Sequence, residues 1–521
     1  MTATQTKTPI DIAPVHPYTE HNQRWVGHVH PGDWTNPTPT RRYNLLVIGG
    51  GPAGLVVAAG AAGLGAQVAL VERHLLGGDC LNVGCVPSKA ILRCAHMAGA
   101  VRHADAYHVR VPGEVTVDFP SVMERMRELR ADLSHHDSAE RFAGLGVDVF
   151  IGEGSFTGPD AFEIDGKKIE FARACVATGA RAIDLPIPGL VEAAALTNES
   201  VFSLTALPGR LAVVGAGPIG VELAQAFAQF GSDVTLLEVQ GQILMREDRD
   251  AADIIDLALR RDGVIINCCA QITQAHRDGD ETVLVLDSKD KPGLAGELRV
   301  DEVLVGVGRA PNVEGMNLEG AGVDYDTRAG IKVNDFLQTS NPRIYAAGDV
   351  ASVYKFTHSA DAMARIVIQN ALFSFGPLGK GKTSTLNMPW CTYTDPEIAH
   401  VGKYAHELEA AGVEHETVKI NMDQVDRAVL DGETEGFLKV HYEPKKGLIL
   451  GATLVAKRAG DMISELSVAM AAGAGLGTIA ATIHPYPTQA EIIKKAGDEY
   501  KRTKLTPGVA KLFERILRWR R

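Results

Sequence analysis

The chain has 521 residues, 45% of them hydrophobic and 22% charged, with a formal net charge of −12. At roughly 100–200 residues per domain this length predicts three or four units. The acidic balance lacks the basic stripe of a nucleic-acid binder, and no run of about 18–20 apolar residues predicts a spanning helix. Seven cysteines are too few for a disulfide scaffold, and 54 glycines predict frequent tight turns. The first 42 residues hold no apolar signal core, so a reducing, cytoplasmic setting is expected.

Residues 1–42 read as an irregular arm. It carries His16, His21, His28 and His30 with Trp25 and Trp34. Docking on the folded body through the tryptophans is expected. A metal-gathering arm is the sharper alternative, but the histidine spacing is irregular and no cysteine supports it, so no resident metal is expected.

At Tyr43 the pattern changes. Tyr43–Gly49 is a buried-strand run, followed by Gly49-Gly-Gly-Pro-Ala-Gly54, an Ala/Gly-rich helix and a second strand over Gln67–Glu72. A second copy begins about 166 residues later. Arg210–Gly215 leads into Gly215-Ala-Gly-Pro-Ile-Gly220, a helix through Phe230 and a strand over Asp233–Glu238. Two such β-α-β units predict two dinucleotide-binding domains.

A lone GxGxxG is weak evidence, but each copy here follows a buried strand, opens a helix and ends at an acid about 20 positions on. In the first, Gly49 permits the tight turn, Gly51 lets backbone approach a pyrophosphate, and Gly54 lets helix and strand pack closely. The helix N-terminus then faces the phosphates, and Glu72 is placed to accept from a ribose hydroxyl. In the second, the corresponding residues are Gly215, Gly217, Gly220 and Glu238. An acid there accepts from a free 2′-hydroxyl and repels a 2′-phosphate. With no arginine before Arg246, NADH is expected over NADPH.

Just after the first unit comes Gly77-Gly-Asp-Cys-Leu-Asn-Val-Gly-Cys-Val-Pro-Ser-Lys89. Five positions apart near a helix start, Cys80 and Cys85 can meet without a long loop, and a helix N-terminus favours thiolate. Phe119–Gly144 reads as a crossover helix with its continuation, where His135-His136 mark a solvated face. Cys268-Cys269 follow a strand-like run and read as buried structural cysteines. Residues 376–388 read as a linker. Beyond Pro389, strands over Gly436–Tyr442 and Leu448–Ala456 followed by Ala-rich helices form an α+β unit. Thr506-Pro507 opens a terminal helix whose Val509, Leu512, Phe513, Ile516 and Leu517 share one side, with Arg515, Arg518, Arg520 and Arg521 making the tail basic. Docking on a dimer is the plain expectation for it, and weak contact with a membrane surface is the rival.

The cysteine segment resembles the active-site segment of the flavin disulfide reductases, the pyridine nucleotide-disulfide oxidoreductases that include dihydrolipoamide dehydrogenase, glutathione reductase and mercuric reductase. The resemblance runs from about Tyr43 to Tyr500. Ala177-Thr178-Gly179 is similar to the return into the flavin domain. Gly306-Val-Gly308-Arg-Ala-Pro-Asn312 resembles the end of the nicotinamide domain. Ile344-Tyr-Ala-Ala-Gly348-Asp349 resembles the second flavin motif, whose Asp bonds FAD, and Asp395–Gly402 resembles the start of the dimer-forming domain.

The resemblance implies an α/β fold: two Rossmann-like domains, for FAD and NAD, plus a C-terminal α+β dimerisation domain. The implied layout is an extension at 1–42, FAD domain at 43–195 and 313–383, NAD domain at 196–312, dimerisation domain at 384–502 and tail at 503–521. It implies FAD as cofactor, a homodimer, Cys80 as interchange thiol, Cys85 as the thiolate against the flavin, and Lys89 near the flavin's reactive edge with Glu222 as its partner. Its implied substrate is a small disulfide or a thiol-bound metal ion.

One departure bears on the acceptor. Disulfide-reducing members carry a His-Pro-Thr-x-x-Glu segment whose His moves the thiol proton. Here the stretch is Tyr486-Pro-Thr488-Gln-Ala-Glu491, with His484 two residues earlier. Mercuric reductases also have Tyr in this context. Yet no Cys-x-x-Cys loop stands in residues 1–42, and the last cysteine is Cys391. Electron transfer to a thiol-bound metal ion is the leading expectation, a dihydrolipoamide-dehydrogenase-like activity the alternative, and a non-catalytic flavoprotein the reading from another class.

Overall fold

The computed structural model describes residues 15–288, 293, 295–374, 376 and 379–521. The chain folds as two compact units. One runs from the N-terminus to Gly215 and takes in Ala226–Leu237 and Ala270–Leu386; the other comprises Ala216–Gln225, Glu238–Cys269 and Asn387–Arg521.

In the first unit, strand Tyr43–Ile48 lies between Val68–Glu72 and Lys167–Val176, all parallel, with Val147–Ile151 and Ile344–Ala346 extending the two sides. Strands Ala161–Ile164 and Gly154–Gly158 continue the sheet antiparallel. A parallel sheet is buried on both faces, and its strands are accordingly apolar over residues 45–48, 68–71 and 174–176. Leu45 and Val47 pack into one core, with the helix Pro52–Gly63 and Phe142; Leu46 and Ile48 pack into another, with Phe150, Phe156, Phe162 and Phe171. A second parallel trio, Asp233–Glu238, Arg210–Val214 and Glu302–Val305, repeats the logic. The antiparallel strands Gln271–Asp278, Glu281–Asp287 and Gly296–Val300 share a core with it.

The second unit is built on a five-stranded antiparallel sheet in the order Pro389–Thr392, Glu397–Gly402, Ile449–Ala456, Phe437–Tyr442, Glu416–Asn421. Helices Ala459–Ala471 and Glu491–Thr503 cover it through Ile463, Leu466, Ile492 and Ile493. This is the expected α+β arrangement. Residues 377 and 378 of the expected linker lie outside the described residues.

The described part of the N-terminal arm is irregular, as expected, except for one helix. Thr19 caps a helix over Glu20–Val29 by accepting from the Asn22 N–H. Its residues make specific contacts. Trp25 is 3% exposed, and its Nε1–H donates to Asn82 Oδ1 at 2.9 Å. The Arg130 guanidinium lies 3.8 Å from the Trp25 ring centre and donates to the Asn82 carbonyl (2.8 Å) and to Asn22 Oδ1 (2.7 Å). Trp34 Nε1–H reaches the Val149 carbonyl. The arm docks through both tryptophans, as expected. His28 sits 2.8 Å from Ser134 Oγ, His30 meets the His74 carbonyl and His21 approaches Glu124. These histidines serve docking and do not converge on one another. Residues 1–14 lie outside the described residues.

The helix-and-continuation expected over Phe119–Gly144 is present as Phe119–Ser134 and Ala139–Gly144, with His135 and His136 exposed between them. The expectation for Cys268-Cys269 needs correction. Cys268 ends its strand and is buried, but Cys269 lies beyond the strand at φ +71° and is only partly buried. The strand stops one residue short, so the alternation of faces does not reach Cys269.

Removing the indole that joins the arm to Asn82 deletes a buried aromatic and leaves Asn82 Oδ1 unmatched. Trp25→Ala is expected to lower the unfolding free energy by about 3–5 kcal/mol in denaturant titrations. A change below 1 kcal/mol would show that the arm does not contribute to the fold.

Candidate active site

The first dinucleotide turn is shaped by backbone that no other residue could occupy. Gly49 has φ +108°, and a Cβ there would sit 2.3 Å from the Ala177 carbonyl oxygen. A Cβ on Gly54 would fall 1.8 Å from the Gly49 carbonyl oxygen. Gly51 caps the helix Pro52–Gly63 without any side-chain hydrogen bond, so its first N–H groups stay available to an anion. Gly51 and Gly78 pack backbone to backbone: a Cβ on Gly78 would lie 2.6 Å from the Gly51 Cα. Glu72, at the end of the second strand, accepts from Gly50 N–H (2.6 Å) and His74 N–H (2.8 Å). Burial pushes its carboxyl above the usual range against those two donors.

The other sequence-expected flavin residues gather on the same framework. Thr178 donates to the Asn312 carbonyl (2.7 Å), and Asn312 donates back to the Thr178 carbonyl (2.9 Å). Gly179 adopts φ +71° and its carbonyl accepts from the Asn312 N–H. Gly348, at φ +78°, approaches the helix of the first turn, where a Cβ would lie 3.2 Å from the Ala53 Cβ. Asp349 follows, with its carboxyl raised by burial and pulled down by Arg309 and Lys355.

Arg309 was not singled out by the sequence, although its segment was. It forms an ion pair with Asp79, lies 3.7 Å from Asp349 and donates to the Ala180 carbonyl (2.6 Å). Its Nε is buried and makes no hydrogen bond among the described residues. A free glycine-lined helix start, an acid at the strand end and a buried cation with unused donor capacity suit a dinucleotide with a pyrophosphate and ribose hydroxyls. The residues present therefore fit FAD.

The thiols lie beside this cradle. Cys80 belongs to the short helix Gly78–Asn82, and Cys85 is the first residue of the helix Cys85–Arg102. Gly84 brings the two together, since a Cβ there would lie 2.7 Å from the Asp79 carbonyl oxygen and 3.4 Å from the Cys80 Cα. Neither thiol is joined in a disulfide in this structure. A hydrogen bond to Cys85, and then burial, raise the Cys80 pKa. Cys85, at a helix N-terminus, is the better-placed thiolate. Its Sγ lies 3.5 Å from the Thr357 hydroxyl, which opens the helix Thr357–Ile368. Thr357 stands alone in the sequence with no motif around it, so only the fold brings it to the thiols. Lys89 lies one turn along the Cys85 helix.

In the second dinucleotide turn, Gly215 has φ +96°, and a Cβ there would press on Val307 (2.8 Å) and the Gly306 carbonyl (3.0 Å). Gly308 also lies at positive φ, +129°. Gly217 is open to approach, and Gly220 is buried on the helix Pro218–Phe230. Glu238 repeats the geometry of Glu72, accepting from Ala216 N–H (2.8 Å) and Gln240 N–H (2.9 Å). Glu222 on the same helix accepts from the Tyr393 N–H at 2.9 Å.

The C-terminal segment departs from a proton shuttle. Tyr486 is 68% exposed and donates to Asp426 at 2.9 Å. That bond raises the phenol pKa further above its usual value. Glu491 approaches Lys495 at 3.5 Å, but its Oε2 is buried with no hydrogen-bond partner among the described residues. His484 makes its own contacts: its Nε2 lies 2.8 Å from Glu465 and its Nδ1 3.1 Å from the Thr482 carbonyl. Thr488 donates to the Pro485 carbonyl.

Two dinucleotide turns in one chain with a thiol pair beside the first define a flavin-dependent disulfide oxidoreductase. Residues 43–364 match the pyridine nucleotide-disulphide oxidoreductase family, and residues 388–497 match its dimerisation domain. The chain belongs to this family. It is similar to a dihydrolipoyl dehydrogenase of Mycoplasma pneumoniae, with 34% identity over 87% of this chain and 97% of that one. It is comparably similar to a mercuric reductase of Streptomyces lividans, with 33% identity over 90% and 98%. The HOCl-induced flavoprotein disulfide reductase RclA from Escherichia coli, also solved as a Cu(II) complex, superimposes with a TM-score of 0.77 at 28% identity, over 88% of this chain and 99% of that one. The protein is thus an FAD-dependent enzyme using NAD(P)H, of the mercuric reductase and dihydrolipoamide dehydrogenase type, which sets aside a non-catalytic flavoprotein.

Anaerobic reduction of the holoenzyme with NADH is expected to give a long-wavelength thiolate–flavin absorption band. Cys85→Ser should abolish the band and Cys80→Ser should keep it. A band that survives Cys85→Ser would remove Cys85 from the flavin.

Proposed function

We propose that this enzyme passes electrons from NADH, through the Cys80/Cys85 pair, to a thiophilic metal ion held by two thiols, with Hg(II) as the reference substrate. The observation that carries this reading is a buried Glu491 carboxylate oxygen with no hydrogen bond among the described residues, near a tyrosine that bonds to Asp426 instead. A disulfide reductase must protonate a departing thiolate. A general acid–base does this best with a pKa near the working pH. Unperturbed Tyr titrates near 10 and His near 6.5, and the Asp426 bond moves Tyr486 still higher. His484 is engaged by Glu465 and Thr482.

A metal bis-thiolate makes no such demand, because its released ligands take protons from water. The reaction consumes NADH, one proton and the Hg(II) bis-thiolate, and yields NAD⁺, Hg(0) and two free thiols. Bound FAD supplies the two-electron relay between nicotinamide and the cysteine pair. Cys80 takes the place of one of the substrate's thiol ligands, its proton passing to the ligand it displaces, and Cys85 holds negative charge at the start of its helix. The Lys89 ammonium stabilises negative charge on the reduced cofactor. Tyr486, in the homodimer that the dimerisation domain implies, offers the metal complex a hydroxyl and no base.

A panel of Hg(II) with excess thiol, lipoamide and glutathione disulfide tests the acceptor. NADH oxidation dependent on Hg(II) is expected to exceed that with either disulfide. Tyr486→His, which restores a partner for Glu491, should raise disulfide turnover by about 10²-fold, the lower end of a general acid–base contribution. Efficient lipoamide reduction by the unaltered enzyme would overturn the reading.

The same reading assigns NADH as donor. Glu238 presents carboxylate oxygens where a 2′-phosphate would have to sit. We expect kcat/KM for NADH to exceed that for NADPH by about tenfold or more, a difference of about 1.4 kcal/mol, and Glu238→Ser to narrow the gap. Faster turnover with NADPH would refute the assignment.

A further inference from the structure

The helix Pro507–Trp519 lies beyond the dimerisation-domain match, which ends at residue 497. Thr506 caps it by accepting from the Val509 N–H. None of its 13 residues is buried. At about 100° per residue, Val509, Leu512, Phe513, Ile516, Leu517 and Trp519 fall within an arc of roughly 160°. Lys511, Glu514, Arg515 and Arg518 occupy the opposite arc. The apolar arc faces solvent: Phe513 is 51% exposed, Leu517 61% and Trp519 85%. A helix this short is marginal in water without an apolar surface to lie on.

Charge identifies that surface. Residues 504–521 hold six cations (Lys504, Lys511, Arg515, Arg518, Arg520 and Arg521) against one acid, Glu514, in a chain whose formal net charge is −12. A helix docked on protein hides its apolar stripe and leaves its polar face to water, where the sign of charge is immaterial. Here the polar face is almost wholly cationic, and a tryptophan sits at the rim of the apolar arc among arginines. That is the pattern of a helix lying in a lipid interface, with its stripe in the acyl boundary and its cations among headgroup phosphates. The helix before it holds the second unit's core through Ile492, Ile493 and Tyr500, and Lys504 donates to the Pro444 carbonyl.

We propose that the helix Pro507–Trp519 is a membrane-surface anchor for anionic lipid, holding this flavoenzyme at the bilayer as a peripheral protein. The proposal does not depend on the identity of the electron acceptor.

Co-sedimentation of the full-length holoenzyme with vesicles tests it, using pure phosphatidylcholine and phosphatidylcholine with one-quarter phosphatidylglycerol. Binding to the anionic vesicles should be about tenfold tighter or more, and should fall steeply in 0.5 M salt. A chain ending at Leu505 and the variant Phe513→Ser/Leu517→Ser should lose binding while keeping FAD and full NADH-to-ferricyanide turnover. Arg515→Gln/Arg518→Gln should weaken binding to anionic vesicles only. Equal affinity for the two vesicle types, or none for either, overturns the proposal. So does a shift from dimer to monomer in the shortened chain by light scattering, because the helix would then be serving a second copy.

Discussion

The close approach of backbone to backbone around the first glycine-rich turn is the constraint on which the rest of the site depends. Gly49 meets the Ala177 carbonyl, Gly54 meets Gly49, Gly78 meets the Gly51 Cα and Gly84 meets Asp79, each at a distance that leaves no room for a Cβ. One set of contacts leaves the helix start open for a phosphate, and its continuation holds the two thiols together. Cofactor cradle and redox pair are therefore parts of one packed structure, with little freedom to drift apart. The cost is conformational: glycine loses more freedom on folding than any other residue. The buried sheet beneath, apolar on both faces, offsets that loss.

Electrostatics then divides the labour between the two cysteines. They sit in adjacent helices, but Cys85 begins its helix, where unpaired N–H groups favour negative charge, while the partly buried Cys80 has its pKa raised by a hydrogen bond to Cys85 and by burial. Around the cradle, Arg309 lies between Asp79 and Asp349, so one buried cation serves two carboxylates. A buried charge is tolerable only when paired, and this grouping meets that condition within a single unit of the fold.

The electron-input and electron-output ends differ in how complete they are. Glu72 and Glu238 are held by matching pairs of backbone N–H groups, one pair at each dinucleotide turn. At the other end, Glu491 Oε2 is buried without a hydrogen bond among the described residues, and Tyr486 has turned to Asp426. A phenol whose one O–H is given to Asp426 is a poor general base near neutral pH.

The sequence by itself determined the parts whose chemistry is local. Glycine spacing after a buried strand, an acid about 20 residues on and two cysteines five apart each act within a few turns of chain. The two dinucleotide turns, the redox pair and the absence of histidine at position 486 could therefore be read directly. Tertiary structure decided what depends on residues distant in sequence: Thr357 beside Cys85, Arg309 against Asp79, and Trp25 of the N-terminal arm bonded to Asn82, two residues from Cys80. It also showed that Cys269 escapes its strand and that His484 is committed to Glu465. Side-chain partners of this kind are chosen by packing, which brings together groups that no local periodicity relates.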